Sequence, residues 1–427
     1  MFKQLRSFSI VFYFILSITS YSNAQEFYYT DDVYVDYIKS VKFVHAGLET
    51  SYPIIDFGSR FQGRLHLSFD DLDGGYKRYT YRLIHCDMYW NPTPNFQEIE
   101  YLEGFNYQDI NDYTYSTNGY SDYTHYRLVL PNEDIKWTVS GNYLLVIYDQ
   151  DYDIPVITRR FMVAENLISI QQQFIKPRNV RKIDTHQELK LAVSYKNFRI
   201  NQPRLELYAT ILQNGNWNTA KVALEGLVEQ GQSLTFDNFD RISFKALKEF
   251  RNFDIRPLNY TTEFVNQIEQ TDLQTKVLLD LAKPRNNRHF LDEIDANGFF
   301  IIDNERYADA FVSSEYCNVI FTLETPTPYL RPLYIVGEFS DWQARPEYKL
   351  EYDYENQAYI GNSFFKQGYY DYMYALLNED GSLDFETVEG SWFETENDYQ
   401  ILIYYREFGS FYDRIIAVQN INSNRQF

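Results

Sequence analysis

Apolar and polar positions along this chain recur in short runs with the period of two that strands require, and no stretch sustains the wider spacing of an amphipathic helix. The clearest run is residues 137–163. Ser140, Gly141 and Asn142 supply a turn, and Tyr143-Leu-Leu-Val-Ile-Tyr148 then carries apolar side chains on both alternating faces, as a strand covered on both sides does. After an acidic turn, Ile157, Phe161 and Val163 fall on one side while Thr158 and Arg160 fall on the other, which predicts a partner strand with one solvated face. Together the two runs form a hairpin. A hairpin alone cannot bury its apolar face, so the preceding chain is expected to supply the second layer of a β-sandwich. Strands are predicted there at 38–44, 64–69, 79–86 and 126–130. A second set is predicted at 189–195, 205–213, 276–281, 298–303 and 319–323, and a third at 333–336, 364–374, 399–405 and 414–418.

The texture changes after Glu165, where Gln171-Gln-Gln and Ile175-Lys-Pro-Arg-Asn179 interrupt the strand pattern, and again at Thr325-Pro-Thr-Pro328. The reading is an all-β chain of tandem β-sandwich domains: a segment 1–24 discussed below, an N-terminal sandwich at 25–165, a middle sandwich at 166–324, and a C-terminal domain at 325–427. The strand spacing of the last suggests an immunoglobulin-like sandwich.

Composition sharpens this. Forty Tyr and 33 Phe fit an aromatic-rich β protein, because tyrosine favours strands and buries its ring while its hydroxyl stays wet. Lys3 and Arg6 precede an apolar run from Phe8 to Ile18, and Ser22-Asn23-Ala24 offers small residues before Gln25, the pattern of a cleaved signal peptide over 1–24. The mature chain is therefore expected to be exported, without inserting into a membrane. The formal charge is −21, and −23 once the two basic residues of 1–24 are gone, which argues against nucleic acid or an anionic lipid surface as partner. Cys86 and Cys317 are too few for a disulfide scaffold and read more readily as buried thiols than as a bridge.

Candidate chemistry is sparse. No Gly-x-Ser-x-Gly elbow, His-Glu-x-x-His helix or phosphate-cradling glycine loop occurs, and six scattered histidines give no ligand spacing, so neither an enzyme nor a cofactor or metal site is expected. Asp70-Asp-Leu-Asp73-Gly-Gly75 and the alternating Asp149, Asp151 and Asp153 read as acidic turns rather than calcium loops. Arg256 and Glu263 are candidates for a surface pair. The stretch from Asp87 to Phe105 is broken by prolines and glycine and carries Trp90, Tyr101, Leu102 and Phe105 on loops, the residues expected to contact a partner protein. For Trp90 the alternative is an anchor folded back under the sandwich edge.

Two resemblances add to this reading. Gly337-Glu-Phe-Ser-Asp-Trp342 followed by Lys366-Gln-Gly-Tyr-Tyr-Asp-Tyr372 resembles the early-set immunoglobulin-like sandwich that includes glycogen-binding modules, in which Trp342 would stack on a sugar. Met373 and Leu383 stand where those modules carry a lysine and a second tryptophan. That argues against a glycan ligand and leaves Trp342 as a core or turn anchor. Across the mature chain, Cys86 with Trp90, Glu100-Tyr-Leu-Glu-Gly-Phe105, Tyr123-Thr-His-Tyr126, Ser140-Gly-Asn-Tyr143, Arg159-Arg-Phe161, Asp254-Ile-Arg-Pro257, Lys366 to Tyr372, Gly390-Ser391, Glu394-Thr395 and Asn397-Asp-Tyr399 resemble the plug protein family of the type IX secretion system of Bacteroidota. The resemblance implies a non-enzymatic periplasmic protein. It would be held peripherally at the outer membrane by the translocon barrel and would seal the periplasmic opening of that barrel. An exported glycan-binding sandwich and a structural adaptor of another envelope assembly remain the alternatives.

Overall fold

The structure is a computed structural model that describes residues 27–57, 63–117, 119–237 and 239–423. The predicted signal peptide lies outside the described residues. Strands dominate, as the alternating pattern predicts, and helices are confined to single turns such as Glu98–Tyr101 and Pro203–Glu206. Among the described residues no helix is long and apolar enough to cross a membrane.

The hairpin of Gly141–Asp149 and Ile154–Ala164 forms as predicted, in the register that sets Tyr143 opposite Phe161, and the two rings stack with centroids 5.3 Å apart. Gly141–Asp149 also pairs along Tyr79–Cys86. The four-stranded sheet of Ile38–His45, Leu65–Asp71, Thr124–Leu130 and Asp112–Tyr115 supplies the second layer, and the first core is built between them from Leu67, Phe69, Tyr79, Tyr126, Tyr143, Ile147 and Phe161. Burying each large side chain of this kind stabilises by about 1.5–3 kcal/mol.

One expectation fails at this hairpin. Thr158 and Arg159 are buried, and Arg160 is half-buried rather than on a solvated face. The reason is a further apolar cluster on the far side of the sheet, where Leu144, Val146 and Met162 meet Met88 and Trp90 from the 87–93 loop and Leu212, Leu402 and Tyr404 from distant strands.

Those distant strands bring the main departure from the sequence reading. Of Asp398–Tyr405 and Arg414–Asn422, both expected in a C-terminal sandwich, the first pairs with Leu207–Gln213 on one side and with the second on the other. Through a parallel bridge of Ala164 to Ile415 they join the hairpin in one ten-stranded sheet. The second core accordingly draws Leu189, Leu191, Val193, Leu207 and Ile211 together with Tyr399, Ile401, Ile403 and Ile416. Conversely, Thr275–Leu279, Phe300–Ile302 and Tyr316–Glu324, expected in the middle sandwich, lie in a second ten-stranded sheet with Leu333–Val336, Ala358–Lys366 and Gly368–Leu377. The third core runs from Phe253 to Val388. Thr325-Pro-Thr-Pro328 is a loop inside this sheet, since Tyr316–Glu324 pairs along its length with Ala358–Lys366 and the Thr325 amide bonds to the Gln357 carbonyl. Proline-rich composition marks an interruption of strands and does not distinguish a loop from a linker.

Cys86 and Cys317 are buried free thiols in different clusters, and burial pushes both thiols up from their ordinary range. Arg256 pairs with Asp254 at 2.6 Å and not with Glu263. Asp149 is buried at the hairpin end, where it accepts hydrogen bonds from the Tyr37 hydroxyl and the Asp151 amide.

Candidate functional site

The four residues expected to contact a partner separate into three environments. Asp87 caps a tight turn by accepting from the Tyr89 and Asn91 amides at 2.9 Å each, and Trp90 follows in the left-handed region at φ 68°. Only 5% of Trp90 is exposed. Its ring meets Trp217 edge-on at 5.1 Å, and the Arg160 guanidinium lies over both indoles, at 5.4 Å and 4.9 Å. Trp90 is thus the loop anchor and is closed to a partner. Tyr101 and Leu102 are also buried, but in the first core, where Tyr101 packs against His85, Phe96 and Tyr143. Phe105 alone of the four is open, 82% exposed, with Ile99 and Tyr107 also exposed nearby in sequence. The correction has a plain cause. Aromatic loop residues are as often turned inward to complete a core as outward to make an interface, and spacing does not show which.

A cavity of about 480 Å³ is lined by residues from widely separated parts of the chain. Tyr52, Ile54 and Met162 come to it from the first part of the chain, Leu212, Trp217 and Gln400 from the strands at 207–225 and 398–405, and Asn297, Phe299 and Trp342 from the 297–299 turn and the 338–342 segment. Two Asn-Gly turns shape it. Gly215 has φ 68° and Gly298 has φ 87°, and a Cβ at either would lie 2.6 Å from the Tyr52 ring or 2.5 Å from the Trp342 ring. The missing side chains let those rings rest against backbone. Trp342 itself is half-buried, edge-on to Phe250 at 5.8 Å, with its carbonyl accepting from Asn218 Nδ2 at 2.9 Å.

The charged residues of the wall are all paired. Asp31 bonds Arg160 at 2.7 Å, Arg159 bonds Asp341 at 3.1 Å, Arg345 joins Asp32 at 2.8 Å and Asp341 at 2.6 Å, and Lys42 joins Glu338 at 2.8 Å. Burial raises the Asp341 and Glu338 carboxyls from the ordinary range, opposed by the adjacent arginines and by Lys42. A second cavity, of about 510 Å³, shares Val41, Arg159 and Asp341 with the first, so this ion pair stands between the two.

The Asn297-Gly298 turn is held from below by Asp371, whose Oδ2 accepts from the Ala296 amide at 2.6 Å and the Gly298 amide at 3.1 Å. Burial, reinforced by the neighbouring Asp295 carboxylate, raises Asp371 to about 8, and burial raises Asp295 to about 6. A carboxyl with a raised folded pKa holds its proton after the unfolded chain has lost it, so its contribution to stability falls as pH rises from about 4 to about 8. Asp371→Asn keeps the acceptor and removes the titration. The variant is expected to match the wild type near pH 5 and to melt higher near pH 8; equal melting profiles across this range would refute the assignment.

Sequence reasoning missed Tyr52, Trp217, Asn297 and Gln400, which no local pattern connects. The available signal was the pair of Asn-Gly dipeptides at 214–215 and 297–298, which mark tight turns. No metal-ligand cluster occurs among the described residues.

Comparison with known proteins bears on this architecture at two scales. The fold is similar to the crystal structure of a hypothetical protein from Parabacteroides merdae ATCC 43184, with a TM-score of 0.88 and 27% identity, covering 93% of this chain and 100% of the other. No curated protein matches the chain. Residues 38–165, which hold the first core and its hairpin, match the Type 9 secretion system plug protein 1st domain.

Proposed function

We propose that this chain is a non-enzymatic periplasmic plug subunit that binds and seals the periplasmic opening of the outer-membrane type IX secretion translocon. The observation that carries the reading is the match of residues 38–165 to the plug first domain. The backbone is suited to the task, because one ten-stranded sheet, joined at the Ala164–Ile415 bridge, links the first and second cores. The protein would be peripheral to the outer membrane and held there by its partner. Phe105 is the one residue of the expected contact face that keeps an apolar side chain available, and buried aromatics carry much of the energy of protein interfaces.

Deleting the protein should leave the barrel assembled but unsealed. Cells are expected to take up large antibiotics or dyes that the outer membrane normally excludes, and only when the barrel is present. Unchanged permeability with the barrel demonstrated would overturn the sealing role. Phe105→Asp should weaken co-purification with the barrel while the melting midpoint stays within about 1 °C, since an exposed substitution changes stability by under about 0.5 kcal/mol. Full capture by this variant would exclude Phe105 from the contact face.

A further inference from the structure

We propose that the outer edge of the strand Ser169–Ile175 is a β-addition site for an extended polypeptide segment flanked by acidic residues. This strand holds Gln171-Gln-Gln173, which breaks the alternation in the sequence. It runs antiparallel to His186–Ser194 without a register break, from Ser169 opposite Ser194 to Ile175 opposite Glu188, and it stands at the end of its five-stranded sheet. On the far side of His186–Ser194, the Leu189 amide donates to the Ile242 carbonyl and the Leu191 carbonyl accepts from the Phe236 amide, at 2.9 Å each. Successive residues of a strand turn their backbone groups to opposite sides, so Lys190 and Ala192 bond across to Gln173 and Gln171. The amides and carbonyls of Ile170 and Gln172 therefore point outward, where no strand pairs with them among the described residues.

Sheet edges are normally protected by brevity, charge or a bulge. Among the described residues every other strand that ends a sheet has such protection. Asn216–Glu225, Ile38–His45 and Val265–Gln270 carry charged side chains and register shifts, and the rest are four residues or shorter. Ser169–Ile175 is seven residues long, with no charge, no proline and no shift of register. Ile170 and Phe174 anchor it in the second core, which holds the edge extended in advance of pairing. Its surroundings select the guest. Lys190 lies opposite Gln173, Lys176 just past one end, and Lys196 two residues beyond the Ser194 that faces the other; all three are exposed and without an ion pair among the described residues. Between residues 169 and 199 basic side chains outnumber acidic ones seven to two, in a chain whose formal charge is −21. Salt confines surface fields to about 8 Å at physiological ionic strength, so a strand laid along this edge meets the local positive charge and not the distant negative one. A second copy paired about a two-fold axis would set this basic surface against itself, which disfavours self-association. An acidic-flanked segment gains main-chain bonds from the edge and opposite charge from the lysines. The inference stands independently of the plug reading.

The test uses the mature full-length chain, with binding read by fluorescence anisotropy. The probe is a labelled peptide of alternating valine and threonine with aspartates at both ends. Its counterparts carry lysines in place of the aspartates, or an N-methyl group on every backbone amide. The acidic peptide is expected to saturate with a Kd of about 100 μM or tighter and the lysine peptide to bind at least about tenfold more weakly. The N-methylated peptide should not bind, because it has no amide to donate along the edge. Gln172→Pro removes one outward amide and none of the bonds to His186–Ser194, and edge strands tolerate proline, so it should weaken binding about tenfold or more with the melting midpoint kept. The exposed double change Lys176→Glu with Lys190→Glu should weaken the acidic peptide about tenfold and strengthen the lysine peptide. Should Gln172→Pro fail to fold, the lysine variant decides alone. The proposal fails if the acidic peptide does not bind at about 1 mM, if either counterpart binds equally well, or if the folded variants bind as the wild type does. Analytical ultracentrifugation supplies the remaining outcome: a wild-type dimer that Gln172→Pro dissolves would assign the edge to a second copy and overturn the acidic guest.

Discussion

Glu389→Gln is expected to cost about 3–5 kcal/mol of stability, the range for breaking one side of a buried ionic cluster. Glu389 is fully buried beneath the third core. It accepts from Arg251 Nε at 2.9 Å, from Arg285 Nε at 2.7 Å and from the Tyr374 amide at 3.0 Å. Burial alone would raise its carboxyl, but the two guanidiniums outweigh it and hold the group down at about 2. Glutamine preserves the shape and one acceptor while leaving Arg251 without its counter-charge and Arg285 with Glu293 alone, at 3.3 Å. The sign with pH follows. A depressed folded pKa gives stability that is present above the unfolded value of 4.5 and is lost as pH falls from there toward about 2, so the gap between wild type and variant should close on acidification. Urea denaturation at pH 7 and pH 3 checks both halves. A cost below about 1 kcal/mol at pH 7 would mean that the cluster is solvated in a way its burial does not suggest.

The second large effect is expected where the first and third cores are latched together. Asp70, on Leu65–Asp71, receives His125 Nδ1 at 2.6 Å, the Tyr316 hydroxyl at 2.7 Å and Lys366 Nζ at 2.5 Å, all without exposure to solvent. Burial opposes its ionisation, yet Lys366 and His125 together hold the carboxyl below its usual range. Asp70→Asn strands the Lys366 ammonium and is expected to cost about 3–5 kcal/mol. Adding Lys366→Met should recover much of that loss, because removing both members of a buried pair is far less costly than removing one. A double variant no more stable than Asp70→Asn would show that the latch acts through something other than this charge pair.

What the sequence disclosed, and what it withheld, follows the range of the interactions involved. Strand type and position were readable wherever alternation was local: Tyr143 to Tyr148 and Tyr79 to Cys86 lie where the pattern put them. Partnership was not readable. Tyr399 to Tyr405 has the same composition whether it completes a C-terminal sandwich or returns to Leu207–Gln213, and only the pairing register distinguishes the two. The same limit hid the solvation of Arg160, which depends on Trp90 and Trp217 arriving from elsewhere. The cavity was invisible for a related reason, since its lining residues Tyr52, Asn297 and Gln400 lie far apart and no window of sequence holds any two of them.

The return of Asp398–Tyr405 and Arg414–Asn422 to the second core also sets a timetable for the newborn chain. Synthesis runs from the amino terminus, so residues 38–163 contain every strand of the first core and can collapse as soon as they emerge. The second core has no such freedom. Its Leu189, Leu207 and Ile211 must wait for Ile401 and Ile416, so the entire segment that builds the third core is made while their apolar faces stand uncovered. Closing so long a loop is slow, and during that interval Leu207–Gln213 offers an unpaired edge to any passing strand. A chain cut short before residue 398 would keep its first domain and carry that sticky edge permanently, making truncated products of this protein prone to aggregate and in need of prompt removal.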